Sequence, residues 1–411
     1  EDGLLATGTA AGNVSLWDVD SGSLISSLRS PSKSWLKSIN FVLGQDHIMS
    51  LSLEGRMSIW EYKTCPSSVL RLESAVPEGE RKSSMQHNLV LTPDGRLAAS
   101  SDHEYVVQLW DVASGKVLHT LGDKRPTRSK LLRHFTTGLA FSPCQTLLAV
   151  GAPDEIVRVY EVYSGSLVTQ LIGHNARVCS VDFHPTQKLI ATASFDTTVR
   201  LWDTESWTCT KVLDCHREWV TCVAFSPDGV WLASGGWDDR LLLYHLANET
   251  TCVKECYSNI WTLAWQPECA PGEGANQVTV GTSAGMLHHF QLDELTRVNW
   301  KECGSVLAHE DIVSKIVWDL EGRFIISGSL DNSVRLWGPP RSEIAGKDGN
   351  DGKKNTKRIL LPMEQYALFA KFPCAVVAVS WTAQPPSRLH KGDAGRLVGV
   401  CTTTAGMFVM D

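Results

Sequence analysis

A chain of 411 residues is long enough for two or three ordinary domains, and 43% hydrophobic with 20% charged residues is ordinary for a soluble globular protein, which excludes disorder over most of its length. A net charge of −7 argues against broad phosphate-backbone binding, which needs an excess of Lys and Arg over a whole face. No stretch approaches about 18 consecutive apolar residues, and the start, Glu1-Asp2-Gly3-Leu4-Leu5, has neither a basic leader region nor an initiator Met. The reading is a piece of a longer polypeptide without a membrane span.

In chain order, the predicted elements are short apolar strands separated by Pro, Asp, Gly and Ser turns. An aromatic followed by an acidic or polar residue ends a strand at Trp17-Asp18, Trp60-Glu61, Trp110-Asp111, Tyr160-Glu161, Trp202-Asp203, Tyr244-His245, Phe290-Gln291 and Trp337-Gly338, with a degenerate copy at Met410-Asp411. The first eight are 43, 50, 50, 42, 42, 46 and 47 residues apart, the length of a unit of four short strands. Unit five shows the grammar best: Val178–Phe183, a turn at His184-Pro185, Leu189–Ser194, a turn at Phe195-Asp196, then Val199–Trp202. Ser226-Pro-Asp-Gly229 and Thr92-Pro-Asp-Gly95 occupy the matching first turn of two other units. Helical periodicity is nowhere sustained.

On these repeats the chain resembles the WD40-repeat family over nearly its whole length. The resemblance implies an all-β fold, a β-propeller of about eight four-stranded blades, with seven or nine left open. Unit one begins at its second strand, Leu4–Thr9, and the last unit, Ala375 to Asp411, has three strands and no outer one. Rings of this family commonly close by supplying that strand from the chain start, and Leu24–Leu28 is placed for it. The expected division is residues 1–19 as leftover strands of an upstream or first blade and 20–411 as the propeller, with a disordered loop at 341–358. Closure by Ser68 to Leu72 would give seven blades instead. The chain reads as the end of a tandem-propeller region.

A polar set recurs at fixed offsets. His174, Ser194, Asp196 and Trp202 in unit five match His309, Ser329, Asp331 and Trp337 in unit eight, with His and Asp 22 apart and Asp and Trp 6 apart. The resemblance implies a buried network in which Asp accepts from the loop His and the backbone, and the hydroxyl links His to the indole. A Ser-His-Asp triad has the same residue types, yet two buried copies without an exposed nucleophile are structural. Unit six keeps His216 and Asp238 but has Gly236 at the hydroxyl position and Tyr244 for Trp. Unit four has Ala152 and Tyr160, and unit seven has Thr282, Ala284 and Phe290, so those units rely more on packing.

Other chemistry is thin. The twelve cysteines include no C-x-x-C pair, so they read as small core residues in a reducing compartment, cytoplasm or nucleus. His288 and His289 are strand neighbours facing opposite sides, unable to share an ion. Asp348 to Gly352 lacks the acidic residue that a calcium loop needs at its end, Gly352-Lys353 is no phosphate loop, and the sequons at Asn13 and Asn248 fall in or beside strands. No metal or cofactor is expected. Basic loops at 124–133 and 341–358 are the places where RNA or an acidic partner could bind, with plain solvated loops as the alternative. Pro267 to Asn276 widens a turn in unit seven.

The function expected is a non-catalytic scaffold that binds other proteins through its faces, with ribonucleoprotein assembly as its setting, and no small-molecule substrate. In the family the residue before each turn Asp tips onto one face. That nominates Phe195, Trp237, Leu330, Leu53 and His103, joined by Arg177 and Trp219 just before inner strands. An enzyme would need convergent groups that do not rise above the repeat. A substrate receptor of a cullin-type ubiquitin ligase is an alternative, although the basic residue such receptors carry after the dipeptide is missing at Thr204-Glu205 and Val112-Ala113. The resemblance extends to the propeller ends of large NACHT-type and apoptosome-type signalling ATPases, where the chain would serve as a sensor or assembly module.

Overall fold

The structure is a computed structural model that describes residues 138–267 and 277–292 without a break. Elsewhere it describes the strands named below and parts of the turns between 91 and 122 and between 299 and 338. All regular structure among the described residues is β. Units two to eight each form one four-stranded antiparallel sheet whose strands follow chain order. The inner strands, among them Val178–Phe183, Val220–Phe225, Ile260–Trp265 and Val313–Trp318, pack side by side and bring the sheets into a ring.

Residue size explains the stacking. The second strand of each unit is covered by neighbours on both faces, as in Leu189–Ser194 and Trp231–Gly236, so it cannot alternate polar and apolar. One face must also be small: Ala191, Ala193 and Ala233 are fully buried, and a Cβ at Gly235 would come within 2.4 Å of the Ile260 side chain in the next sheet. Outer strands such as Cys209–Leu213 alternate between partly buried and exposed, because water covers their far side.

Side chains also bond across sheets. The Phe225 N–H donates to the Asp182 carboxylate at 2.8 Å, Thr221 Oγ1 to the Ile260 carbonyl at 2.6 Å, and the Trp265 indole to the Ala224 carbonyl at 3.0 Å. Burial raises the Asp182 carboxyl to about 7, against the opposing effect of the N–H groups of Phe225 and Phe183. The folded chain therefore holds a proton that the unfolded chain has released above pH ~4. Stability from this group is complete below that pH and is lost as pH rises through 7. Asp182→Asn keeps an acceptor for Phe225, so its melting temperature is expected to fall less between pH ~5 and 8 than that of the parent. Parallel pH profiles for the two would contradict this.

The eighth sheet joins the ends of the chain in the order 24–28, 14–18, 4–8, 397–403, 375–382. Leu24–Leu28 is its outermost strand, and Leu4–Gly8 pairs in parallel with Leu397–Thr403, Leu4 opposite Leu397 and Thr7 opposite Val400. Residues 4–8 and 14–18, expected to stand outside the ring, thus lie in the closing sheet, which has five strands rather than four. Closure by 68–72 does not occur, since Val69–Arg71 pairs with Met57–Glu61 in the sheet of unit two. Deleting residues 1–28 is expected to expose the backbone of 397–403 to hydrogen exchange, and unchanged protection there would refute this closure.

Candidate partner-binding face and the network beneath it

The turn between the second and third strands and the loop before the first strand meet at the same end of each sheet. Backbone bonds tie them together: Phe195 N–H to Arg177 O at 2.9 Å, Trp237 to Trp219 at 2.9 Å, Ser283 to Asn259 at 2.8 Å and Leu330 to Ile312 at 3.0 Å. The turns share one backbone geometry, with positive φ at Glu155, Thr197, Asp239 and Gly285 whatever the side chain.

Beneath this end lies the repeated network. In unit five His174 Nδ1 faces Asp196 at 2.8 Å, and Nε2 meets Thr192 Oγ1 at 2.7 Å. The Trp202 indole donates to that same Thr192 hydroxyl at 3.0 Å. One assignment satisfies every atom: the hydroxyl accepts from the indole and donates to Nε2, leaving Nδ1–H for the carboxylate. Asp196 also accepts the N–H of Asn175 and the hydroxyl of Thr198. Burial would raise its pKa, but these donors, His174 foremost, hold it well below the usual carboxylate range. Unit eight repeats the arrangement with His309, Asp331, Ser327 and Trp337.

The linking hydroxyl is therefore Thr192 and Ser327, which corrects the expectation of Ser194 and Ser329. Trp202 lies opposite Ile190, and its indole reaches two residues along the same face to Thr192. Ser194 instead donates to the Ala176 carbonyl and receives the Asp196 N–H, and Ser329 does the same with Asp311 and Asp331. Unit six consequently keeps its hydroxyl: Ser234 meets His216 Nε2 at 2.8 Å while His216 Nδ1 faces Asp238 at 3.0 Å, and only the indole is missing. Gly236 takes the place of Ser194. Units two and three hold the same indole-to-hydroxyl bond, Trp60 to Ser50 and Trp110 to Ser100. Unit seven has none of it, with Cys256 at the His position, Ala284 at the Asp position and Phe290 for Trp.

Of the residues nominated for partners, His103 and Leu53 lie outside the described residues, as do the loops at 124–133 and 341–358. Leu330 is partly exposed. Phe195 and Arg177 are 8% and 2% exposed, so neither stands out as a free contact. Phe195 is covered because its ring lies flat on Trp219 of the next sheet, 4.4 Å apart and 4° from parallel. The row continues to Trp237 at 4.9 Å and then to Trp261 at 6.0 Å. All three tryptophans are partly exposed. Trp261 was not anticipated from the sequence. It sits where units five, six and eight have Cys179, Thr221 and Ser314, two of which reach the next inner strand.

His288 and His289 are both buried and bond to different partners, Glu302 on one side and Thr279 with Gln277 on the other. Burial lowers His289 to about 3, so it is neutral at physiological pH. Among the described residues no three His, Cys, Asp or Glu are grouped to hold a metal ion, and no helix is long and apolar enough to cross a membrane.

Ring and network together define a WD40-type β-propeller, and the chain carries WD40 repeats. The family model described as "WD domain, G-beta repeat" matches residues 165–203, 207–245 and 300–338. These contain the units in which the structure shows a His–Asp pair. Among similar proteins of Arabidopsis thaliana are WD repeat-containing protein VIP3, 35% identical over 92 residues, or 21% of this chain and 29% of that protein, and Periodic tryptophan protein 2, 24% identical over 44% of this chain and 18% of that protein. A third is Pre-mRNA-processing factor 19 homolog 2, 24% identical over 44% of this chain and 32% of that protein. The matches span less than a third of each relative's length. A chain in the crystal structure of a mitotic checkpoint complex shares the fold, with a TM-score of 0.58 at 17% identity over 74% of this chain and 86% of that one.

Proposed function

We propose that the chain is a non-catalytic scaffold that captures protein partners on the loop-bearing end of units five to seven. The observation that carries this reading is the row Trp219, Trp237 and Trp261, large aromatic side chains left partly exposed side by side. Exposed apolar groups in a contiguous patch mark interfaces, and tryptophan is among the residues that dominate interface energetics. The network of unit six holds the loops that carry Trp219 and Trp237. A ribonucleoprotein assembly, of the telomerase or vault kind, in nucleus or cytoplasm, is the setting proposed. One relative's name, a pre-mRNA-processing factor, supports the RNA context.

The test is capture of partners from a native extract by the parent and by Trp219→Ala with Trp237→Ala, folding being checked by circular dichroism. Phe195 is left intact because it is buried. Capture is expected to weaken by about 2–4 kcal/mol, and RNase treatment of a parallel sample separates protein-held from RNA-held partners. Retention of every partner by the double variant would refute this face as the binding surface.

A further inference from the structure

We infer that this face takes a cationic segment of its protein partner, an arginine or lysine side chain seated at the Trp261 end of the aromatic row. The inference rests on the binding-face reading above and names the chemistry of the partner.

Charge is the first ground. The turns around the row carry Glu218 and Asp239, and the neighbouring loop of unit eight carries Glu310 and Asp311. Of the cations nearby, Arg177 is buried and Arg240 is bonded to Glu255 at 3.0 Å, while Arg217 beside Glu218 and Lys315 on the inner strand of unit eight are exposed, so the four carboxylates still outnumber the exposed cations. Burial and then the charges of Asp238 and Glu255 raise the Asp239 carboxyl, a sign that negative charge is crowded there. A cation would relieve that crowding, and an RNA phosphate would add to it.

Ring geometry is the second. Trp219 lies between Phe195 and Trp237, and Trp237 between Trp219 and Trp261, so the end member Trp261 offers the row's outlying ring. Indole faces attract guanidinium and ammonium groups through the ring quadrupole.

Unit seven supplies the third ground. In units five, six and eight the turn Asp accepts the N–H of the residue after His: Asn175, Arg217 and Glu310, each at 3.0 Å. The equivalent residue in unit seven is Tyr257, and Ala284 offers it no carboxylate. Tyr257 is 84% exposed with φ +58°, a conformation that none of its three counterparts adopts. Beside it the Ser258 hydroxyl is buried without a hydrogen-bond partner. An exposed aromatic on a left-handed backbone, released from the polar anchor, is a residue kept for contact.

The test is fluorescence anisotropy of the whole chain with labelled Gly-Ser-Arg, Gly-Ser-Lys and Gly-Ser-Glu repeat peptides and with an oligouridylate, at physiological salt. The arginine or lysine peptide is expected to bind and the glutamate peptide not to. Trp261→Ala leaves the charge unchanged and should weaken cation binding about tenfold. Should that variant fold poorly, Tyr257→Ala and the pair Glu218→Gln with Asp311→Asn are each expected to weaken binding several-fold. Equal affinity for the cationic and anionic peptides, no binding of either cationic peptide, affinity unchanged in every folded variant, or oligouridylate competing for this face would overturn the inference. A protein partner lost with Trp219→Ala and Trp237→Ala while no cationic peptide binds would overturn it too, and would leave the binding-face reading standing.

Discussion

Asp331→Ala is expected to cost about 3–5 kcal/mol of folding stability, measured by urea unfolding. The carboxylate is 6% exposed and accepts from His309 Nδ1 at 3.0 Å, the Glu310 N–H at 3.0 Å, and the Ser333 N–H and hydroxyl at 2.8 and 2.6 Å. Alanine leaves these donors without an acceptor, at about 1–3 kcal/mol each before water recovers part of the loss. Burial opposes ionisation of Asp331, yet the His309 and Ser333 bonds hold its pKa well below the usual carboxylate range. Its folded pKa being depressed, the stabilisation is present above the ordinary carboxylate pKa and is lost as pH falls through the folded value. The parent should therefore lose stability below pH ~4 more steeply than the variant. A cost under about 1 kcal/mol would show that the network is ornamental.

Gly285→Ala is expected to destabilise by about 3 kcal/mol or more. Positive φ is only part of the reason, since Thr197 and Asp239 adopt it at the same turn position. A Cβ at Gly285 would lie 2.1 Å from the carbonyl oxygen of His309, whose own N–H and that of Ala308 bond to the Gly285 carbonyl. Relief means moving the loop that aims His309 at Asp331, so left-handed strain of about 1–2 kcal/mol adds to overpacking of similar size. An alanine variant as stable as the parent in urea would contradict this packing.

The ring was legible because the Trp-Asp period is set by the length of a four-stranded unit, and the His–Asp pairs because their spacing of 22 survives in units five, six and eight. The linking hydroxyl was misplaced by reading the polar residues as a linear set. Its signal was present as a Ser or Thr ten residues before the Trp, at Ser50, Ser100, Thr192 and Ser327. Exposure was less legible. Phe195 and Arg177 are covered by what the next sheet places over them, and no local pattern states that Trp219 will lie on Phe195. The five-stranded closure was illegible for a related reason, since turn chemistry specifies neighbours along the chain and not the parallel pairing of Leu4 with Leu397. Trp261 escaped notice because its position in the other units holds residues as small as Cys179 and Thr221.

The measurement that tests the binding face most directly is site-specific photo-crosslinking. A photoreactive amino acid replaces Arg217, exposed in the loop that carries Trp219, or in a second protein Lys188 at the opposite end of the unit five sheet, each in the whole chain and in its native extract. Partner crosslinks are expected from position 217 and not from position 188. Crosslinks from position 188 alone would contradict the account, placing the partner on the face without the aromatic row.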